Sequence, residues 1–151
     1  MNEKPLVSII VLNYNAGTLL LDCISSLKKS TYDNMEILVV DNISSDNSHT
    51  NCKTKFPDIK LIENKKNLGY CGGNNVGINH AKGEFIVILN PDTVVEENWL
   101  EELFLGYDEF GDALYQPKII SLNETGVIQS TGNMIHVFGF GFARDKGKKI
   151  I

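Results

Sequence analysis

Residues 90–93, Asn-Pro-Asp-Thr, are the place where this chain's residue types most clearly point to chemistry. They follow an unbroken apolar run, Phe-Ile-Val-Ile-Leu at 85–89. A run without alternation reads as a strand buried on both faces of a parallel sheet. Pro91 has no N–H to continue a central ladder, so the strand must end there. Asp92 is then left at the strand's carboxyl end, the edge at which open α/β sheets bind ligands. A single carboxylate flanked by Asn90 and Thr93 suits a hard divalent cation, Mg²⁺ or Mn²⁺, that also holds phosphate oxygens. The same four residues read equally as a turn leading into a helix cap.

Two more polar clusters follow apolar runs. Asn13-Tyr14-Asn15 closes the run at 6–12, and Asp41-Asn42 closes the run at 36–40. A carboxylate at Asp41 can accept a hydrogen bond from a base N–H or hold a ribose hydroxyl; its alternative role is to cap the next helix. Tyr14 either stacks on a base or lids the core. Gly69, Gly72 and Gly73 do not have the GxGxxG spacing of a dinucleotide fingerprint, and they follow a polar loop rather than the first strand. Their expected use is a tight turn and close approach of backbone to ligand.

The elements that must position these residues alternate. Strands are expected at 6–12, 36–40, 59–62, 83–90 and 114–120, with a hairpin return at 127–130. Helices are expected after Thr18 as a cap, after Ser44, Ser45 and Asp46, within 69–83, and after Glu96 and Glu97. Leu20, Ile24 and Leu27 share one face of the first helix; Trp99, Leu100, Leu103, Phe104 and Tyr107 form the stripe of the last. Such alternation means an α/β fold with a mostly parallel, Rossmann-like central sheet flanked by helices. The first and fourth strands, the most apolar, are expected side by side at its centre, so that the three polar clusters share one crevice.

Composition limits the function classes. The chain has 151 residues, 42% hydrophobic and 22% charged, enough for a real core. A formal net charge of −5 argues against a nucleic-acid partner. Cys23, Cys52 and Cys71 are odd in number and lack metal-site spacing, which reads as reduced thiols in a cytoplasmic protein. No run is long enough for a membrane span, and no signal-peptide pattern appears.

Taken in order, VSIIVLNYN, EILVVDNISSDNS, NLGYCGGNNVGI and GEFIVILNPDT resemble the family 2 glycosyltransferases of GT-A fold, and in particular their rhamnosyltransferase-like branch. QPKII and GVIQSTGN extend the resemblance over nearly the whole chain. It implies inverting transfer of a sugar from a nucleotide-diphosphate donor to a saccharide or lipid-linked saccharide in cell-surface polysaccharide synthesis. By position, Asp41 would bind the base. Asn13, Tyr14, Asn15 and Asn42 would line the nucleotide pocket, and Asn67, Gly69, Gly72 and Asn75 would lie along the ribose and diphosphate. Asp92 would ligate Mg²⁺ or Mn²⁺, with Asn90 where many relatives carry a first aspartate.

Residues 1–133 are accordingly expected to bind the donor, and 134–151 to form part of an acceptor side or a flexible tail. The branch's downstream Glu-Asp pair, which includes the base for the acceptor hydroxyl, has no counterpart here; only His136 and Asp145 follow Asn133, neither in the family pattern. The chain therefore reads as a donor-binding part that stops before its acceptor-binding part. Arg144, Lys146, Lys148 and Lys149 read as a frayed, solvated tail or a patch for peripheral contact with the inner face of the membrane. The alternative function is a non-catalytic nucleotide-sugar-binding or assembly module. A nucleotidyltransferase is disfavoured because residues 13–17 contain no Lys or Arg for a triphosphate loop.

Overall fold

The computed structural model describes residues 4–124, 126–135 and 141–150. The chain divides into two compact units, Met1–Glu101 and Glu102–Ile151.

The first unit alternates strand and helix: β1 (Val7–Asn13), α1 (Thr18–Leu27), β2 (Met35–Asp41), α2 (Ser48–Lys55), β3 (Lys60–Glu63), α3 (Gly69–His80) and β4 (Phe85–Leu89). All pairings are parallel, in the order β3-β2-β1-β4. Val7, Ile9, Ile10 and Val11 of β1 and Leu38, Val39 and Val40 of β2 are fully buried. Burial of each such side chain contributes about 1.5–3 kcal/mol. Leu20, Cys23, Ile24 and Leu27 form the buried face of α1 at the expected helical spacing. The N-cap of α1 is Gly17, with no side-chain cap bond, so Thr18 is the first helical residue rather than the cap.

The glycines of α3 serve packing against the sheet. A Cβ on Gly73 would lie 2.3 Å from Leu12, and one on Gly77 would lie 2.4 Å from Ile10. The helix therefore rests directly on β1 and β2. The turn from α3 into β4 is closed from below: Ser8 Oγ donates to Glu36 Oε1 at 2.6 Å and accepts from Gly83 N at 2.8 Å.

β4 differs from expectation. It is beside β1 but at the edge of the four-stranded sheet, so the centre is the β1–β2 pair. Ile86 and Ile88 are each 45% exposed, and the strand is not buried on both faces. By register they share the face on which α3 rests against β1 and β2.

α4 (Trp99–Phe110) follows, with Trp99 and Leu100 buried; Leu103, Phe104 and Tyr107 are only half-buried. Glu96 and Glu97 lie just before its first turn, as expected. In the second unit β5 is only Ile119–Ile120, not 114–120, and pairs antiparallel with β6 (Ile128–Ser130). Pro117 lacks a ladder donor and Leu114 is fully exposed, so nothing holds the preceding residues in a strand. β7 (Asn133–Ile135) pairs antiparallel with β8 (Gly141–Ala143). The basic end is no frayed tail: Gly147 N donates to Ile128 O and Ile150 N to Gly126 O, and Arg144 binds Thr131. The main-chain bonds made by residues 144–150 were not visible in a sequence whose side chains are mostly basic. His136 and most of the FGFGF stretch lie outside the described residues. No described helix is long and apolar enough to cross a membrane.

Candidate donor-binding site

The three polar clusters do meet at one edge of the sheet. Asn13 is the register partner of Asp41, and the last paired residue of β4, Leu89, lies opposite Val11. Asn90 to Thr93 therefore leave the sheet beside the end of β1.

The first layer of this edge is buried. Asn13 is fully buried, and its Nδ2 donates to Asp41 Oδ1 at 2.7 Å, Ser48 Oγ at 2.8 Å and Ser44 Oγ at 3.0 Å. Asp41, 2% exposed, also accepts from Ser44 Oγ at 2.6 Å and, through Oδ2, from Ser44 N at 2.9 Å. His49 Nδ1 lies 3.6 Å from Asp41 Oδ1, and His49 Nε2 3.5 Å from Glu63 Oε1. Asn42 ties the next loop down: it donates to Gly69 O at 3.1 Å and accepts from Asn64 Nδ2 at 2.8 Å. Two buried acceptors, Asn13 Oδ1 and Asn74 Oδ1, find no hydrogen-bond partner among the described residues. An unpaired buried acceptor costs about 1–3 kcal/mol, so a ligand N–H or O–H that reached either would offset a standing penalty.

The second layer is exposed. Tyr14 is 55% exposed and is no lid on the core. Asn15, at φ 52°, accepts from Ser45 N at 2.8 Å, and Gly17 N donates to Asp46 Oδ2 at 2.8 Å. These bonds staple the loop after β1 to the loop after β2. Asp46 also accepts from Ser48 Oγ and Ser48 N. The Ser48 hydroxyl, against a smaller opposing effect of burial, and the main-chain N–H groups hold the Asp46 carboxyl below its ordinary value. Asn67 accepts from Gly69 N at 2.8 Å at the start of α3. Gly69 has positive φ and open space around it, whereas a Cβ on Gly72 would meet Leu68 at 2.9 Å. Asn75 is exposed; the buried asparagine of α3 is its neighbour Asn74.

Asn90 and Asp92 are both exposed, and the Asp92 carboxylate has no hydrogen-bond or ion-pair partner among the described residues. Those residues hold no group of three or more His, Cys, Asp or Glu that could cage a metal. One free carboxylate fits a cation that brings phosphate oxygens and water as its remaining ligands, which is how Mg²⁺ is usually held. Behind it, burial, then Cys52 and Asp92, push the Cys23 thiol up to about 12. All three cysteines are free.

Sequence reasoning missed Ser44 and Ser48 as partners of Asn13 and Asp41, and it missed His49 entirely. The spacing of Asp41 and Ser44, three apart at a strand end, is the local signal that could have found the first. Asp145, a candidate base, accepts from Thr131 Oγ1 at 2.6 Å and pairs with Lys148 at 2.7 Å. Lys148 first, then Thr131, hold its carboxyl below the usual range, opposite to the tuning of a general base near neutral pH.

The family model "Glycosyl transferase family 2" matches residues 8–149. The chain belongs to this family. Glycosyltransferase GlyG of Streptococcus pneumoniae is 36% identical over 104 residues, which are 67% of this chain and 35% of that protein. An uncharacterized glycosyltransferase of Haemophilus influenzae is 34% identical over 137 residues, 86% of this chain and 42% of that protein. The UDP-Glc:alpha-D-GlcNAc-diphosphoundecaprenol beta-1,3-glucosyltransferase WfgD of Escherichia coli is 42% identical over 66% of this chain and 40% of its own length. The chain thus spans well under half the length of these relatives. Among solved structures, S. aureus TarS superposes with TM-score 0.62 at 23% identity, covering 79% of this chain and 26% of that one. The mannosyltransferase PcManGT from Pyrobaculum calidifontis, in complex with GDP-Man and Mn²⁺, gives 0.57 at 27%, over 62% of this chain and 29% of that one. The four-stranded parallel sheet with flanking helices is the GT-A fold of family 2 glycosyltransferases.

Proposed function

We propose that this chain binds a nucleotide-diphosphate sugar at the edge formed by β1, β2 and β4. From this donor a hexosyl or deoxyhexosyl unit would pass, with inversion, to a saccharide or lipid-linked saccharide acceptor in cell-surface glycan synthesis. The observation that carries this reading is the exposed, unpartnered Asp92 at the same sheet edge as the buried Asn13–Asp41 pair. The names of WfgD and of the Pyrobaculum enzyme support the donor and acceptor classes, and the latter's Mn²⁺ supports a divalent cation.

In this reading Asp41 Oδ2, which accepts from Ser44 N, keeps acceptor capacity for a base N–H. Tyr14 is free to stack on the base, and Asn13, Asn15 and Asn42 hold the pocket walls. Asn67, Gly69, Gly72 and Asn75 border the ribose and diphosphate. Asp92, with Asn90 as a neutral oxygen beside it, would hold Mg²⁺ or Mn²⁺. Bound there, the cation would supply charge neutralisation of the diphosphate as it leaves. All these residues lie within the first unit, inside the 1–133 segment assigned to the donor; 134–151 are assigned to the acceptor side. The assigned location is the cytoplasmic face of the cell membrane, where a lipid-linked acceptor would be met.

Calorimetric titration with UDP, GDP and dTDP, each with and without Mn²⁺, tests the reading. One nucleotide is expected to bind with a metal-dependent gain in affinity, and Asp92→Ala is expected to remove that gain, about tenfold or more. Metal-dependent binding that survives in Asp92→Ala would remove Asp92 from the site. The engagement of Asp145 by Thr131 and Lys148 favours a second reading, donor binding without transfer. Supplying acceptor and finding no sugar transfer, with binding intact, would select it.

A further inference from the structure

The segment that carries Asp92 is fastened to α1 and the residues just after it at three points. The Cys23 thiol donates to Asn90 O at 3.8 Å. One helical turn later, Ser26 Oγ accepts from Val95 N at 3.2 Å while itself donating to Cys23 O at 2.7 Å. Beyond the helix, Thr31 donates to Glu97 O through N at 2.8 Å and through Oγ1 at 3.1 Å. Cys23 is fully buried and Ser26 is 7% exposed, so both anchors belong to the packed interior, while Asp92 between them is exposed.

The lengths do not match, and that mismatch shapes the loop. Cys23 and Ser26 are separated by roughly 4.5 Å along the helix axis. Five residues from Asn90 to Val95 could span roughly 17 Å if extended. Anchored at both ends over so short a distance, the segment must arch away from α1, and the bond from Thr93 N to Asn90 O at 3.2 Å closes that arch as a turn. The carboxylate at its crest then points outward from a fixed base. We propose that Cys23 and Ser26 are positioning residues for Asp92: α1 acts as a two-point buttress that holds the carboxylate where a divalent cation and diphosphate meet it. This rests on the donor-site reading of Asp92 and adds the element that sets its place.

Two measurements on the full chain test the buttress. In the metal-free, ligand-free protein, amide hydrogen exchange of residues 92–95 is expected to accelerate in Ser26→Ala, with exchange in β1 and β2 unchanged. In calorimetry with nucleoside diphosphate, Ser26→Ala is expected to weaken the Mn²⁺-dependent part of binding about three- to tenfold, as loss of one hydrogen bond would. Its metal-free nucleotide affinity is expected to match the parent, and Ser26→Thr, which keeps the hydroxyl, to restore the Mn²⁺ dependence. Cys23→Ala provides the second variant should Ser26→Ala fold poorly, and it should loosen the Asn90 end in the same two assays. A merely structural role predicts lower Tm with unchanged Mn²⁺ dependence, and that result overturns the proposal. Asp92→Ala, run alongside, separates the two ideas. If it abolishes the Mn²⁺ gain while Ser26→Ala and Cys23→Ala do not, the buttress fails and the donor site stands; if it leaves the gain intact, the donor-site reading fails and takes the buttress with it.

Discussion

At the scale of single residues the site is built on a division of labour among polar groups. Asn13 and Asp41 are buried and bonded to each other through Asn13 Nδ2, Ser44 and Ser48 add further bonds while Asn13 Oδ1 stays unpaired among the described residues, and the exposed residues Tyr14, Asn15 and Asp92 face outward from that base. Asp46 links the layers, since its carboxylate receives Gly17 N from one loop and Ser48 from the other. A carboxylate whose folded pKa lies below its ordinary value of 3.8 stabilises the fold fully above that pH. The stabilisation is lost as pH falls through the folded value. Asp46→Ala is therefore expected to lower Tm by a few degrees near neutral pH. Thermal melts of both proteins as a function of pH should converge only as the pH falls through the folded value, which lies below 3.8, because protonated Asp46 no longer accepts these bonds as an anion. A gap that persists unchanged in acid would mean that Asp46 acts through packing and not through charge.

At the scale of elements the deciding contact is α3 on the sheet. Gly77 is a helical glycine with ordinary φ, so its presence is explained by space and not by backbone conformation. Replacing it with alanine gains about 1 kcal/mol of helix propensity. The new methyl, however, would sit 2.4 Å from Ile10 Cγ2 and 3.2 Å from Val40, and Ile10 is fully buried with nowhere to move. Overpacking of that kind costs about 1–3 kcal/mol and in a fixed core exceeds the propensity gain. Denaturant unfolding of Gly77→Ala should show a lower midpoint. In an Ile10→Ala background, where both close atoms of Ile10 are gone, the same substitution should cost less, and that coupling identifies the contact. Equal costs in the two backgrounds would place the strain elsewhere.

At the scale of the whole molecule, what could be read ahead of the structure was local, and what could not was a matter of pairing. The strand–helix alternation and the junction of Asn13, Asp41 and Asp92 followed from apolar runs that stop at polar residues. Nothing in Phe-Ile-Val-Ile-Leu states that no strand among the described residues lies on its far side, so the 45% exposure of Ile86 and Ile88 was out of reach. The two-residue β5 and the main-chain pairing of the basic end were hidden for the same reason. The contacts of Ser44 and Ser48 with Asn13 needed the fold that brings residues some 30 positions apart together. The cysteines give that fold a global reporter. Cys71 is exposed, whereas burial holds Cys23 at about 12 and Cys52, against a smaller lowering by Lys55, at about 11. At pH 8 only about one Cys23 thiol in ten thousand would be a thiolate even if a reagent could reach it. Native protein treated with an alkylating agent is thus expected to label rapidly at one of its three thiols, with Cys23 and Cys52 reacting only as denaturant opens the first unit. Because both sit beneath the donor edge, in α1 and α2, a bound nucleotide diphosphate with Mn²⁺ should slow their labelling by the factor that ligand binding adds to stability. Mass spectrometry of the labelled peptides reads this directly, and labelling of Cys23 in native buffer at the rate of Cys71 would show that α1 is not the fixed support on which the Asp92 loop depends.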